Sequence, residues 1–193
     1  MSSVLAIQDQ RLSQGDANAP VKIVEYTDIL CPYCAQANAN IIPRIKSDYI
    51  DTKKAHYEVR LVARIAPDSK RAAIGAYCAA EQGKFWEYLD TAYTRTWNEF
   101  YSSNKSPEEV NLFSELLITD FAKRLGLDMP SWQTCLTSGK YDSALEKNQA
   151  KMREMEAYGT PHFVINEKSY SGAPPYPAFQ AVIDGELKKA GKQ

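Results

Sequence analysis

Residues 16–34 read DANAPVKIVEYTDILCPYC, and two parts of that stretch decide the fold. The first, VKIVEY at residues 21–26, is β-branched and alternating, and Pro20 introduces it, so it reads as a strand. The second, Cys31-Pro32-Tyr33-Cys34, puts Pro32 where proline is best tolerated, in the first turn of a helix. That helix is expected to run through Ala35 to about Ser47, with Pro43 bending it because proline removes a backbone donor. Tyr57, Val59, Leu61 and Val62 form a second alternating strand that ends before Pro67. Strand, helix, strand opens a βαβ unit, which implies a parallel pair with a right-handed crossover.

Upstream, residues 4–7 are a short apolar run and residues 14–18 read as a polar turn. Downstream, residues 69–157 take up helical periodicity, broken at Gly83, Ser106-Pro107, Gly126, Pro130 and Gly139. That pattern predicts four to six helices and no strand. One helix is expected to start at Ser106-Pro107-Glu108-Glu109, with Ser106 as cap, Pro107 first and Glu109 at the capping-box position. After Gly159 the β signal returns as a hairpin, residues 162–165 and Ser169-Tyr170 around Asn166-Glu167, followed by a helix over about residues 176–189. The fold class is therefore α/β. Sheet-forming segments 1–66 and 158–193 bracket an all-helical insertion, 67–157, and no internal repeat is evident.

Composition narrows the function. The 193 residues, 44% of them hydrophobic, suit one substantial core with an elaboration better than two equal domains. Lys and Arg total 23 against 24 Asp and Glu, with no block of one sign, which argues against a nucleic-acid partner. No run of 18 apolar residues occurs, and residues 1–10 lack the basic and apolar regions of a signal peptide. Met1 before Ser2 and Ser3 is compatible with a natural start or with one that replaces a leader or membrane anchor.

Four cysteines suit a cytosolic protein or an exported one with two disulfides, so their spacing must decide. Cys31 falls at a helix N-terminus, where unpaired N–H groups and the macrodipole favour negative charge, and Cys34 lies one turn further in. Cys31 is thus the attacking thiol and Cys34 the resolving one. A thiol of pKa about 8.5 is roughly 3% thiolate at pH 7, and lowering it by about two units makes it mostly thiolate. A structural zinc site would need a second close ligand pair, which Cys78, Cys135, His56 and His162 do not form, so no metal or other cofactor is expected.

The same stretch, residues 16–34, resembles the opening of the DsbA-like thiol-disulfide oxidoreductases, BdbD-type members included. GTPHFVIN at 159–166 is similar to that family's cis-proline loop, and CAAEQGKFWEY at 78–88 to the start of its helical insertion. The resemblance spans most of the chain and implies a thioredoxin-like fold interrupted by a helical domain.

It also implies site residues. Pro161 should be cis, turning the Thr160 backbone toward the cysteines as an edge for an extended substrate chain. His162 is expected near that groove or packed against the sheet, rather than as a catalytic base. Glu25 matches the family's buried acid, and alternation places it with Val21 and Ile23, opposite Lys22, where desolvation would raise its pKa and let it exchange a proton with Cys34. Pro32 and Tyr33 tune the pair. Tyr33 stands where well-known oxidants of the family carry histidine, and a phenol brings no positive charge to the thiolate, so a less extreme oxidant is expected. Cys78 and Cys135 read on their own as two free buried thiols, whereas the resemblance implies a second disulfide. Enclosing 57 residues, such a bond would contribute roughly 4 kcal/mol in the chain-entropy model.

The leading expectation is oxidation of reduced, unfolded substrate proteins outside the cytoplasm by a monomer, with a quinone-linked membrane partner of the DsbB or VKOR type reoxidising the pair. Tyr33, Tyr170 and Tyr176, with Pro174, Pro175 and Pro177, would give a partly apolar face beside Cys31. Trp86, Trp97 and Trp132 are assigned to packing of the helical domain. A reductase or isomerase of the same fold, a redox-inactive peptide-binding module and a cytosolic glutaredoxin remain the alternatives.

Overall fold

The sheet grows outward from the strand that carries Glu25. The computed structural model describes Leu5 and residues 8–103 and 111–191. Strand β1 (Ser13–Gly15), β2 (Val21–Thr27), β3 (Ala55–Leu61), β4 (His162–Ile165) and β5 (Lys168–Ser171) form one sheet in the order β1-β3-β2-β4-β5. β2 and β3 are parallel, as the βαβ reading requires, and β4 pairs antiparallel with β2 and with β5. The expected turn at residues 14–18 is corrected in part: Ser13–Gly15 pairs antiparallel with β3 as an edge strand. Its polar residues carry no alternation, so only pairing reveals it. Gly15, at φ +89°, brings its backbone against Ala55, where a Cβ would collide. The apolar run at 4–7 is described only at Leu5, and the helix start expected at Ser106 lies outside the described residues.

The helix after Cys31 is shorter than expected. α1 (Pro32–Asn40) stops at Ile41, α2 (Ile42–Ile45) restarts with Pro43 in its first turn, and a π-helical turn, Lys46–Ile50, follows. Proline fits a first turn and not a helix interior, so Pro43 breaks the helix rather than bending it.

Between β3 and β4 lie α3 (Pro67–Glu81), α4 (Phe85–Ser103), α5 (Glu115–Arg124), α6 (Met129–Thr137) and α7 (Asp142–Glu154), all helical as the periodicity predicted. The hairpin β4-β5 and the closing α8 (Tyr176–Lys189) complete the order. Gly75 on α3 lets Tyr88 of α4 and Trp132 of α6 approach its backbone, so these three helices pack closely. Trp132 is fully buried there, 5.9 Å from the Tyr88 ring, whereas Trp86 lies 5.9 Å from Tyr57 of β3 and joins the helices to the sheet.

Both faces of the sheet are covered. Val21, Ile23, Tyr57, Val59 and Phe163 belong to the main core with α1, α3, α4 and α8. Val24, Tyr26 and Val164 form a smaller cluster with Met152 and Ala157 on the other side. Among the described residues no helix is long and apolar enough to cross a membrane.

Candidate functional site

The end of β2 delivers the two thiols. Cys31 is the N-cap residue of α1, and its N–H donates to the Asp28 carbonyl at 3.0 Å. Cys34, one turn on, is fully buried, and both cysteines are free thiols. Asp28, which the sequence reading did not single out, holds this loop through its buried carboxylate. Oδ1 accepts from Leu30 N at 2.9 Å, and Oδ2 from Arg64 N at 2.6 Å and Ile65 N at 3.1 Å. The Arg64 guanidinium in turn donates to the carbonyls of Ala157 at 3.1 Å and Tyr158 at 3.4 Å. The loop before Cys31 and the segment before Pro161 are therefore tied through one residue pair. Asp28 Oδ1 makes a local turn with Leu30, whereas the Oδ2 partners Arg64 and Ile65 lie 36 and 37 residues away, beyond the reach of any local pattern.

The Thr160-Pro161 peptide bond is cis, and the Cys31 thiol donates to the Thr160 carbonyl oxygen at 3.2 Å. Cys31 is drawn down to about 7, first by hydrogen bonding with Cys34 and against the opposing effect of burial. The Thr160 side chain and the N–H groups of Cys34 and Tyr33 also favour its thiolate. Cys34 is pushed well up by burial, and the neighbouring Cys31 and Glu25 push in the same direction. One thiol is thus prepared to be a nucleophile and the other to keep its proton.

Glu25 is buried on the face of Val21 and Ile23. Burial pushes its carboxyl up to about 7, against hydrogen bonds from Tyr57 and Thr27 that favour the charged form. Tyr57 donates from β3 to Glu25 Oε2, and Thr27 shares a hydrogen bond with the hydroxyl of Tyr93 on α4. Thr96 of α4 donates to the Ile29 carbonyl at 2.8 Å, so the helical segment grips the same loop. Alternation of Ala55, Tyr57, Val59 and Leu61 could have placed Tyr57 beside Glu25. Nothing local signals Tyr93, 66 residues from Thr27.

Of the two places expected for His162, it takes the one packed against the sheet and not the one near the groove. It pairs with Tyr26, while Phe163 pairs with Glu25, so its imidazole points to the sheet face opposite Glu25. There it is buried, with Nδ1 3.2 Å from Ser171 Oγ, and burial lowers its pKa. It contributes backbone to the cis-proline loop and no side chain to a groove beside Cys31. Tyr176 is likewise withdrawn, its hydroxyl donating to Asp48 Oδ2 and its ring centroid 3.8 Å from the Arg44 guanidinium carbon. Tyr33, between the two cysteines, is 61% exposed, and Tyr158, three residues before Pro161, is 78% exposed.

Cys78 of α3 and Cys135 of α6 form a disulfide with a Cα–Cα distance of 5.7 Å. Among the described residues no cluster of three or more His, Cys, Asp or Glu could hold a metal ion.

Residues 8–185 match the protein-family model Thioredoxin_4, described as thioredoxin. A probable disulfide bond formation protein D of Bacillus anthracis is 28% identical over 180 residues, covering 92% of this chain and 78% of the relative. The crystal structure of alpha-DsbA1 from Wolbachia pipientis has a TM-score of 0.78 at 23% identity and covers 93% of this chain and 92% of that one. Oxidised BdbD from Bacillus subtilis has a TM-score of 0.75 at 23% identity, covering 92% of each chain. At such identities the two structures speak for the fold, which is the architecture described above.

Proposed function

The chain belongs to the thioredoxin family and is a DsbA-like thiol-disulfide oxidoreductase, and from that premise we propose that it acts as a dithiol oxidase for exported proteins. The arrangement that carries this reading is that of the pair itself: Cys31 caps the N-terminus of α1 with its sulfur beside the Thr160 carbonyl, and Cys34 is fully buried one turn on. Stabilising the Cys31 thiolate favours the reduced pair, and a protein whose reduced form is favoured gives its disulfide away.

The reaction starts from the Cys31–Cys34 disulfide. A substrate thiolate attacks the Cys31 sulfur, forming a mixed disulfide and breaking the Cys31–Cys34 bond. The electron pair leaves on Cys34, which takes a proton from the Glu25 carboxyl. A second substrate thiolate then attacks the substrate sulfur of the mixed disulfide and expels Cys31 as thiolate. The substrate dithiol has lost two electrons and the enzyme pair has gained them. A quinone-linked membrane partner of the DsbB or VKOR type removes them again. The Thr160 carbonyl beside Cys31 offers a backbone acceptor to an extended substrate chain, and the exposed rings of Tyr33 and Tyr158 offer loose apolar contact to unfolded polypeptide.

An extracytoplasmic location is supported by the Cys78–Cys135 disulfide, which persists where thiols are not kept reduced. The protein works there as a monomer. A second reading, a reductase or isomerase, is favoured by one observation, since a nucleophile drawn down to about 7 matches the thioredoxin value. Incubating the oxidised protein with a reduced, unfolded disulfide protein separates the readings. Stoichiometric transfer of the disulfide to the substrate is expected of an oxidase, and an equilibrium that leaves the enzyme oxidised would contradict it.

A further inference from the structure

Two phenols surround Glu25 and Cys34 and take no part in the exchange steps above. Glu25 lies on β2, and the parallel register sets Tyr57 of β3 diagonally across the same face, opposite Ile23. The Tyr57 hydroxyl donates to Glu25 Oε2, and Tyr57 is buried. Two residues beyond Glu25, Thr27 shares its hydroxyl with Tyr93, which reaches in from α4. Among the described residues the groups acting on this pocket can be named. Glu25 responds to Tyr57 from β3, to Thr27 on its own strand and to Cys31 from α1. Cys34 responds to Cys31, Glu25 and Thr27, and Tyr93 responds to Cys34, Glu25, Thr27 and Cys31. Phe163, opposite Glu25 on β4, is apolar.

A carboxylate in such a place needs donors, because burying an unpaired charge is strongly unfavourable. Among the described residues none of the neighbours acting on Glu25 is a cation, so the Tyr57 phenol, ahead of Thr27, is its principal compensation. Burial and the adjacent carboxyl push the Tyr57 hydroxyl well above its ordinary range. It therefore stays protonated wherever Glu25 titrates and acts as a fixed donor. Hydrogen bonds to an ionised acceptor are about twice as strong as those between neutral groups.

We propose that Tyr57 is a positioning residue of the exchange reaction: it fixes one oxygen of Glu25 as a carboxylate and leaves the other to take the Cys34 proton, while Tyr93 holds Thr27 on the far side of the same pocket. This rests on the exchange reading above. In the resolving direction the Glu25 carboxylate removes the Cys34 proton, the Cys34 thiolate attacks the Cys31 sulfur of a mixed disulfide, and the substrate thiolate leaves. Without the phenol the carboxylate holds its proton more tightly and less of it is available at neutral pH.

The test is the pH dependence, over about pH 5 to 9, of the resolving step in wild type, Y57F, E25Q and the double variant, using a mixed disulfide with a cysteine-containing peptide. Y57F is expected to move the Glu25 inflection up by about one pH unit and to slow resolution about fivefold at pH 7. The 240 nm titration of the Cys31 thiolate should stay in place, and Y57F should add nothing in the E25Q background. 3-Fluorotyrosine at position 57 keeps the ring and strengthens the donor, so it should move the inflection down even if Y57F does not fold. A Y57F profile superimposable on wild type, or equal slowing in the E25Q background, would overturn the inference while leaving the function intact. A wild-type chain that exchanges no disulfide would overturn both.

Discussion

The Cys31 sulfur lies 3.2 Å from the carbonyl oxygen of Thr160, 129 residues away along the chain. The redox pair arrives on the loop after β2 and the cis-proline loop on the way into β4, and the pairing of those two strands brings them together. The exchange site thus depends on the sheet closing across the whole helical segment.

The two cysteines should be separable by mutation. C31S is expected to abolish exchange while leaving the fold intact. C34A keeps the nucleophile but removes the resolving thiol, so it should accumulate mixed disulfides with reduced substrate, visible on a non-reducing gel. Equal trapping by C31A would reverse the assigned roles.

Cys31 should titrate with a midpoint near 7 when the thiolate is followed at 240 nm in the reduced protein. T160V removes a side chain that favours the thiolate and should move the midpoint up, whereas Y33H brings in a group that can be cationic and should move it down. A wild-type midpoint near 9 would contradict the N-terminal placement of a nucleophile.

Glu25 makes stability depend on pH. Its folded value, about 7, lies above the ordinary 4.5 because of burial, so the native state binds the proton more tightly than the unfolded chain. The stability this contributes is present below about 4.5 and is lost as pH rises through about 7. E25Q, neutral at every pH, should match wild type near pH 4 and exceed it at pH 8 by up to about 3 kcal/mol. Urea unfolding of the oxidised form at the two pH values checks this, and equal differences at both would refute it.

The second disulfide should act on stability. Replacing both Cys78 and Cys135 with alanine opens a link of 57 residues and should lower unfolding free energy by roughly 4 kcal/mol. Urea unfolding should show this with the Cys31 midpoint unchanged, since the bond joins α3 to α6 and neither cysteine is among the groups acting on Cys31. A loss below about 1 kcal/mol would contradict the chain-entropy account.

Much of this was legible in residues 21–34, because alternation, Pro32 and the cysteine spacing are local signals. Glu25 was legible for the same reason, since period-two alternation fixed its face before any partner was known. The cis-proline loop and the second disulfide were legible only through family resemblance. The link of Thr27 to Tyr93 and that of Asp28 to Arg64 and Ile65 were not legible, because those partners lie dozens of residues away. Edge strand β1 was hidden by its polar composition, since an edge strand needs pairing and not apolar alternation. His162 was expected near the groove or packed against the sheet, and only the register with Tyr26 decides for the sheet, on the face opposite Glu25.

The most direct test of the oxidase reading is the reduction potential of the Cys31–Cys34 pair, measured by equilibration in glutathione buffers with thiol alkylation. A value near or above about −150 mV is expected of a protein that donates its disulfide, and a value near about −270 mV, the thioredoxin level, would contradict it and make the chain a reductase.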